Sequence, residues 1–278
     1  MGKKIAFMSY QQLYRDTLRL VPKLPQDISS ILGIPRSGML PASMLATEMH
    51  LLLGMASETP EVAGGRRLRK IAIGAHTLVI DDSVSTGRAM QKAKDAVAVA
   101  QAHGTIKRAT FACIYLSKGS ENHVDKFARH LQTPRIFEWN LFNSGIARRS
   151  MFDMDGVLCL DPPEDDDGVK YKAYITSAPP LHLPKYPIQA ICTNRLCKWR
   201  THTETWLNQH GITYKQLIMR PEATAKERRK ARNPGEYKGY HFRRSEAAYF
   251  IESSRIQAPI IAQVSGKPVI CLQDRKVY

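Results

Sequence analysis

The chain has 278 residues, 43% of them apolar, and a formal charge of +16 at pH 7. That length suits one large or two ordinary domains with a real core, and no apolar run approaches the length of a membrane span. The excess charge is shared, with 19 Lys+Arg against 11 Asp+Glu in residues 1–145 and 22 against 14 in the remainder. A single basic tail is therefore excluded, and the expected partner is anionic: a pyrophosphorylated small molecule or a nucleic acid. The N-terminus lacks a secretory pattern. The five cysteines, Cys113, Cys159, Cys192, Cys197 and Cys271, show no metal-type pairing beyond a loose Cys192–Cys197, so free thiols in a cytoplasmic protein are expected.

In chain order, residues 8–22 have helical spacing, with Leu13, Leu18 and Leu20 inward and Pro22 and Pro25 ending the element. A short strand at 30–34 runs into Pro35-Arg36-Ser37-Gly38 and then a helix predicted from Met39 to Leu52. Such a strand–turn–helix step presents backbone N–H groups to an anion. Residues 57–70, SETPEVAGGRRLRK, are polar and end in Arg66, Arg67 and Arg69; alone they read as a surface hairpin. The run Leu78, Val79, Ile80 reads as a buried strand whose apolar character stops at Asp81-Asp82. Next come the hydroxyls of Ser83, Ser85 and Thr86, then Gly87 and an Ala-rich helix from Arg88. The carboxylates could hold neighbouring hydroxyls of a ribose while the loop and helix start cradle a phosphate. The competing reading is an ordinary strand–loop–helix with solvated acids. Further strands are predicted at 106–116 and 135–142. The alternation over 28–142 predicts α/β with a mostly parallel sheet and sites at the strands' carboxyl ends.

The segment from Leu78 to Gly87 (apolar strand, two acids, three residues, Thr86-Gly87) resembles the PRPP-binding motif of type I phosphoribosyltransferases. The resemblance implies that Asp81 and Asp82 hold the ribose hydroxyls and that Ser83, Ser85, Thr86 and Gly87 serve the 5′-phosphate. It also implies that Arg36, Ser37 and Gly38 contact the pyrophosphate of PRPP. Residues 57–70 would be the family's flexible catalytic loop, with Arg66, Arg67 or Arg69 against the leaving pyrophosphate. The family often has a hydroxyl residue two positions after the glycine; here that position is Ala89. No segment gives a recognisable hood to select the acceptor.

Asn143–Ser150 reads as a linker, after which the chain restarts with Met151-Phe-Asp153-Met-Asp155-Gly. Two acids at one strand end point differently, so one can attack a phosphorus while the other handles the leaving-group proton; a solvated turn is the plain alternative. Further on are Ile191-Cys-Thr193-Asn-Arg195, then Lys238 with Lys226, Lys230 and Arg243 as rivals, then Tyr249-Phe-Ile-Glu252-Ser253. In this order they resemble the four motifs of haloacid-dehalogenase (HAD) phosphatases. The resemblance implies Mg²⁺ held by Asp153, the Asp155 backbone carbonyl and Glu252. Asp153 would be the nucleophile, Asp155 the acid and then the base, and Thr193 and Lys238 would stabilise the phosphoryl oxygens. Many relatives have a second acid where this chain has Ser253. The stretch from Asp161 to Tyr186 is too short for a large cap, and its acidic run reads as a solvated loop. Lys226–Arg232, continued by Arg243-Arg244, reads as a solvated helix face or as a collector of polyanions. Trp199 and Trp206 suggest packing.

The two resemblances divide the chain into 1–145 and 146–278, two doubly wound α/β domains with mostly parallel sheets, the second with a small cap. The fusion is similar to the phosphoribosyltransferase–HAD phosphatase proteins of tellurite-resistance-type gene clusters and some phages. It implies a bifunctional enzyme that moves phosphoribose from PRPP to a nucleobase-like small-molecule acceptor and then removes the 5′-phosphate, with Mg²⁺ as cofactor. A sensor of PRPP or nucleotide, and transfer or dephosphorylation on nucleic acid, are the alternatives. A homo-oligomer is expected and no membrane partner.

Overall fold

The computed structural model describes residues 5–56, 61–63, 76–163 and 168–278. It divides into two compact units, Met1–Arg135 and Ile136–Tyr278. The predicted linker is not one. Phe142 stacks on His182 with ring centroids 4.0 Å apart, the Asn143 side chain accepts from the Lys185 N–H, and Ala147 is fully buried in a helical turn capped by Ser144. A short polar stretch with a glycine looks like a linker in sequence, but here it is the entry to the second unit. The strand predicted at 135–142 is likewise shorter, Arg135–Phe137, and gives way to a 3-10 turn at Glu138–Asn140.

The first unit's six-stranded sheet has the order Glu61–Ala63, Leu52–Met55, Ser30–Gly33, His76–Val84, Arg108–Leu116, Lys126–His130. All neighbours are parallel except the Leu52–Met55 and Glu61–Ala63 pair. Leu78, Val79 and Ile80 are fully buried, as a central strand covered on both faces requires. The helix Arg88–Ala102 buries Met90, Ala93, Val97 and Ala100, a spacing that keeps one stripe against the sheet. The helix predicted to run to Leu52 stops at Glu48. Leu52–Met55 instead pairs, residue for residue, with Ser30–Gly33, and four ladder pairs outweigh a local helical preference. The first helix is Tyr10–Leu18, with the Ser9 hydroxyl accepting from the Gln12 N–H; Leu13 and Leu20 are buried and Leu18 half-buried.

The second unit's six-stranded sheet has the order Tyr214–Arg220, Ile188–Leu196, Ser150–Phe152, Tyr249–Glu252, Val269–Cys271, Lys276–Val277, parallel except for the last pair. In both units the chain lays strands outward in one direction and then returns to build in the other. The switch falls between Ser30–Gly33 and His76–Val84 in the first unit, and between Ser150–Phe152 and Tyr249–Glu252 in the second. A crevice opens at the carboxyl ends of strands at such a point. Trp206 is fully buried and its indole N–H donates to the Ala178 carbonyl, so it packs. The five cysteines are free, four buried and Cys197 exposed. No helix among the described residues is long and apolar enough to cross a membrane.

Candidate active sites

In the first unit, the strand carrying the acid pair does not end where its apolar run ends. It continues through Asp81, Asp82 and Ser83 to Val84, because Asp81, Ser83 and Val84 pair with Cys113, Tyr115 and Leu116 of the neighbouring strand. Ser83 is therefore a strand residue, and Ser85, Thr86 and Gly87 form the loop into the helix at Arg88. Ser85 and Thr86 are exposed, as a ligand-binding loop needs, while Asp81 and Asp82 are buried. Burial, and then the neighbouring Asp82 charge, push the Asp81 carboxyl up to about 8. Asp81 also accepts from the Asp82 N–H at 2.8 Å. A buried acid pair with one member holding its proton suits hydrogen bonding to vicinal hydroxyls.

The second loop meets the first through Gly38. A Cβ built there would lie 2.6 Å from the Ile34 carbonyl oxygen and 2.8 Å from that of Ile80. Only a residue without a side chain lets this turn lie against the strand that carries Asp81. Gly38 is buried, Ser37 half-buried and Arg36 exposed at the start of the helix Met39–Glu48. Arg36, Ser37, Gly38, Asp81, Asp82, Ser85, Thr86 and Gly87 are thus gathered around the carboxyl ends of two adjacent strands. Arg66, Arg67 and Arg69 lie outside the described residues.

In the second unit, Asp153 follows the strand Ser150–Phe152 and Glu252 ends its neighbour Tyr249–Glu252. Between them sits the Lys238 ammonium, 2.6 Å from Asp153 Oδ2 and 2.8 Å from Glu252 Oε2. The rivals Lys226, Lys230 and Arg243 are exposed. Lys238 turns inward because its helix, Pro234–Arg244, packs closely on Gln257–Ser265: a Cβ on Gly239 would be 2.7 Å from Val264 Cβ. Burial works against the ammonium, but Asp153 and Glu252 outweigh it and hold its pKa above the ordinary lysine value. Burial and then the Glu252 charge raise the Asp153 carboxyl well above its usual range, against the pull of Lys238. Thr193 is fully buried, its hydroxyl accepting from the Arg195 N–H at 3.2 Å.

Two residues of this site carry no role in the sequence reading. Arg195 is buried and grips Asp155 bidentately, with Nη2 2.6 Å and Nε 3.1 Å from its oxygens. Burial opposes the guanidinium's charge, yet Asp155 more than compensates and raises its pKa. The signal was the two-residue step from Thr193 to Arg195, which puts both side chains on one face of a strand. Asp161 starts the stretch expected to be a solvated acidic loop; residues 164–167 lie outside the described residues, but Asp161 itself lines the same cavity of about 940 Å³ as Asp153, Thr193, Lys238 and Glu252. Burial, with Asp155 next, raises its carboxyl.

Among the described residues no group of three His, Cys, Asp or Glu side chains forms a metal cage. The donor chemistry nevertheless fits Mg²⁺, which takes one or two carboxylates and keeps several waters. Asp153 and Glu252 offer carboxyl oxygens, and the Asp155 carbonyl is 3.5 Å from the Ser253 hydroxyl.

No protein-family profile matches the sequence, and no curated protein does. Among solved structures, the chain is similar to xanthine-guanine-hypoxanthine phosphoribosyltransferase of Helicobacter pylori, at 18% identity over 49% of this chain and 92% of that one, with a TM-score of 0.38. It is also similar to a purine phosphoribosyltransferase of Pyrococcus horikoshii, at 18% identity over 49% and 93%, with a TM-score of 0.35. A third is adenine phosphoribosyltransferase of Rhodothermus marinus, at 17% identity over 44% and 80%, with a TM-score of 0.32.

Proposed function

We propose that the chain is a bifunctional enzyme. Its first unit transfers phosphoribose from PRPP to a nucleobase-like acceptor, and its second removes the 5′-phosphate of the product. The observation that carries this reading is the same in both halves: residues of separate sequence motifs meet at the switch point of a parallel sheet. Asp81-Asp82 meets the Gly38 turn in one, and Asp153, Lys238 and Glu252 meet in the other.

In the first unit the loop from Ser85 to the N-terminus of Arg88–Ala102 receives the 5′-phosphate on backbone N–H groups. Asp81 and Asp82 orient the ribose hydroxyls, and the Arg36–Gly38 turn takes the pyrophosphate, so that it leaves as the acceptor nitrogen attacks the anomeric carbon. In the second unit Asp153 attacks the phosphorus and forms an aspartyl-phosphate, while the protonated form of Asp155, positioned by Arg195, gives its proton to the departing alkoxide. Asp155 then takes a proton from the water that hydrolyses the acyl phosphate. Thr193 and Lys238 hold the phosphoryl oxygens. A Mg²⁺ held by Asp153, Glu252 and the Asp155 carbonyl would neutralise phosphoryl charge. Coupling the steps makes sense thermodynamically: transfer is reversible through pyrophosphate, and loss of the 5′-phosphate draws it forward.

Time-resolved mass spectrometry of PRPP, Mg²⁺ and a metabolite extract tests this, comparing the intact chain with Asp153→Asn. The variant is expected to accumulate a phosphoribosylated species that the intact chain converts to its dephosphorylated form. Tight PRPP binding with no adduct in either protein would replace transfer by sensing.

A further inference from the structure

Among the described residues, the second unit's cavity is lined by six Lys and Arg side chains against four Asp and Glu. Arg220 ends the strand Tyr214–Arg220, and its side chain is only 2% exposed. Its Nε and Nη2 donate to Glu222, Nη2 also donates to Asn233 Oδ1 at 3.0 Å, and the guanidinium lies over the Tyr237 ring. Nη1 has no partner among the described residues, although a buried donor is costly to leave unmatched. Arg220 lines the cavity that holds Asp153 and Lys238. Arg228, Arg229 and Arg232, from the helix Ala225–Ala231 and its C-cap, line it too. Arg228 Nη1 donates to the carbonyl of Asn194 at 2.9 Å, which ties this helix to the strand that carries Thr193. Part of the basic cluster that looked like a solvated face therefore borders the site.

Thr193 and Lys238 already serve the group being transferred. Arg220 comes from a strand two places from the one leading to Asp153, about 10 Å across the sheet, and so meets a different part of the same ligand. We propose that this site selects phosphomonoesters whose retained portion carries a second phosphate, received by Arg220 with Arg228, Arg229 and Arg232. This deepens the phosphatase reading and rests on it. A nucleoside bisphosphate and a 5′-phosphorylated nucleic-acid end present the same chemistry.

The test is calorimetric binding to the Asp153→Asn chain of adenosine 5′-monophosphate, adenosine 3′,5′-bisphosphate and a 5′-phosphorylated trinucleotide. At low salt the bisphosphate or the trinucleotide is expected to bind at least roughly tenfold tighter than the monophosphate, with a steeper salt dependence. That advantage is expected to fall in Arg220→Gln and, should that variant not fold, in the surface double variant Arg229→Gln/Arg232→Gln; this comparison also separates binding to the first unit. A tighter trinucleotide assigns the second phosphate to a nucleic-acid end, and a tighter bisphosphate assigns it to a small molecule. Equal affinity of all three ligands, or an advantage untouched by the arginine substitutions, overturns the proposal. Asp153-dependent phosphate release from p-nitrophenyl phosphate by the unsubstituted chain is measured separately, and its absence counts against the phosphatase reading alone.

Discussion

Asp81→Asn separates what the acid pair does for the fold from what it does for a ligand. An unfolded aspartate releases its proton near pH 3.9, whereas the folded Asp81 holds its proton up to about 8, because burial first and the Asp82 charge second disfavour its ionised form. Between those values the native state binds more protons than the unfolded one, so stability falls as pH rises. At about 1.4 kcal/mol per unit the ceiling on this effect at pH 7 is about 4 kcal/mol. Asparagine keeps the oxygen that accepts from the Asp82 N–H at 2.8 Å and has no proton to lose. The variant should therefore be more stable than the parent at pH 7 to 8, with the difference vanishing toward pH 4. In thermal melts each kcal/mol corresponds to roughly 2–4 °C for a chain of this size. PRPP-dependent pyrophosphate release should be lost in the same variant. A difference in melting temperature that does not change between pH 4 and pH 8, or a variant less stable than the parent at pH 8, would refute the reasoning.

Asp153→Asn should lower phosphate release by roughly a thousandfold or more while pyrophosphate release from PRPP stays at the parental level; parallel loss of both would show that the substitution disrupts more than one site. Lys238→Met leaves Asp153 and Glu252 facing each other, both buried, and should cost about 3–5 kcal/mol of stability in urea titrations; a near-neutral effect would mean that the pair takes up a proton instead. Gly38→Val must displace the Ile34 and Ile80 carbonyls, so the KM for PRPP should rise with phosphate release from p-nitrophenyl phosphate unchanged, and an unaltered KM would remove that turn from the site. Arg195→Lys gives up the bidentate grip on Asp155. It should lower kcat more than it alters KM, whereas a kcat equal to the parent's would leave Arg195 a packing residue.

Elements with a strong local signature were legible from residues alone. Leu78–Ile80 read as a strand because a strand covered on both faces must be apolar at every position, and Asp81, Asp153 and Glu252 stood out because acids interrupt or end such runs. Where the reading failed, the deciding partner was distant in sequence. The helix expected to reach Leu52 stops at Glu48 because Leu52 begins a strand, Leu52–Met55, that pairs with Ser30–Gly33. The strand His76–Val84 outran its apolar stretch because Cys113, Tyr115 and Leu116 pair with it, and a polar stretch read as a linker turned out to be packed at Phe142 and Ala147.

By itself, the sequence determined the alternation of strands and helices, the order of the motifs and the candidate acids, since each depends on neighbours a few residues away. Tertiary structure decided which cations meet those acids. Lys238, Lys226 and Lys230 are chemically alike, but Lys238 sits between Asp153 and Glu252, on a helix whose Gly239 packs closely against Val264, while the other two are exposed. Arg195 and Arg220 belong to strands whose register, not whose composition, brings them to the cavity. A charge's role depends on what lies within a few ångströms of it, and in a doubly built sheet those neighbours come from segments far apart along the chain.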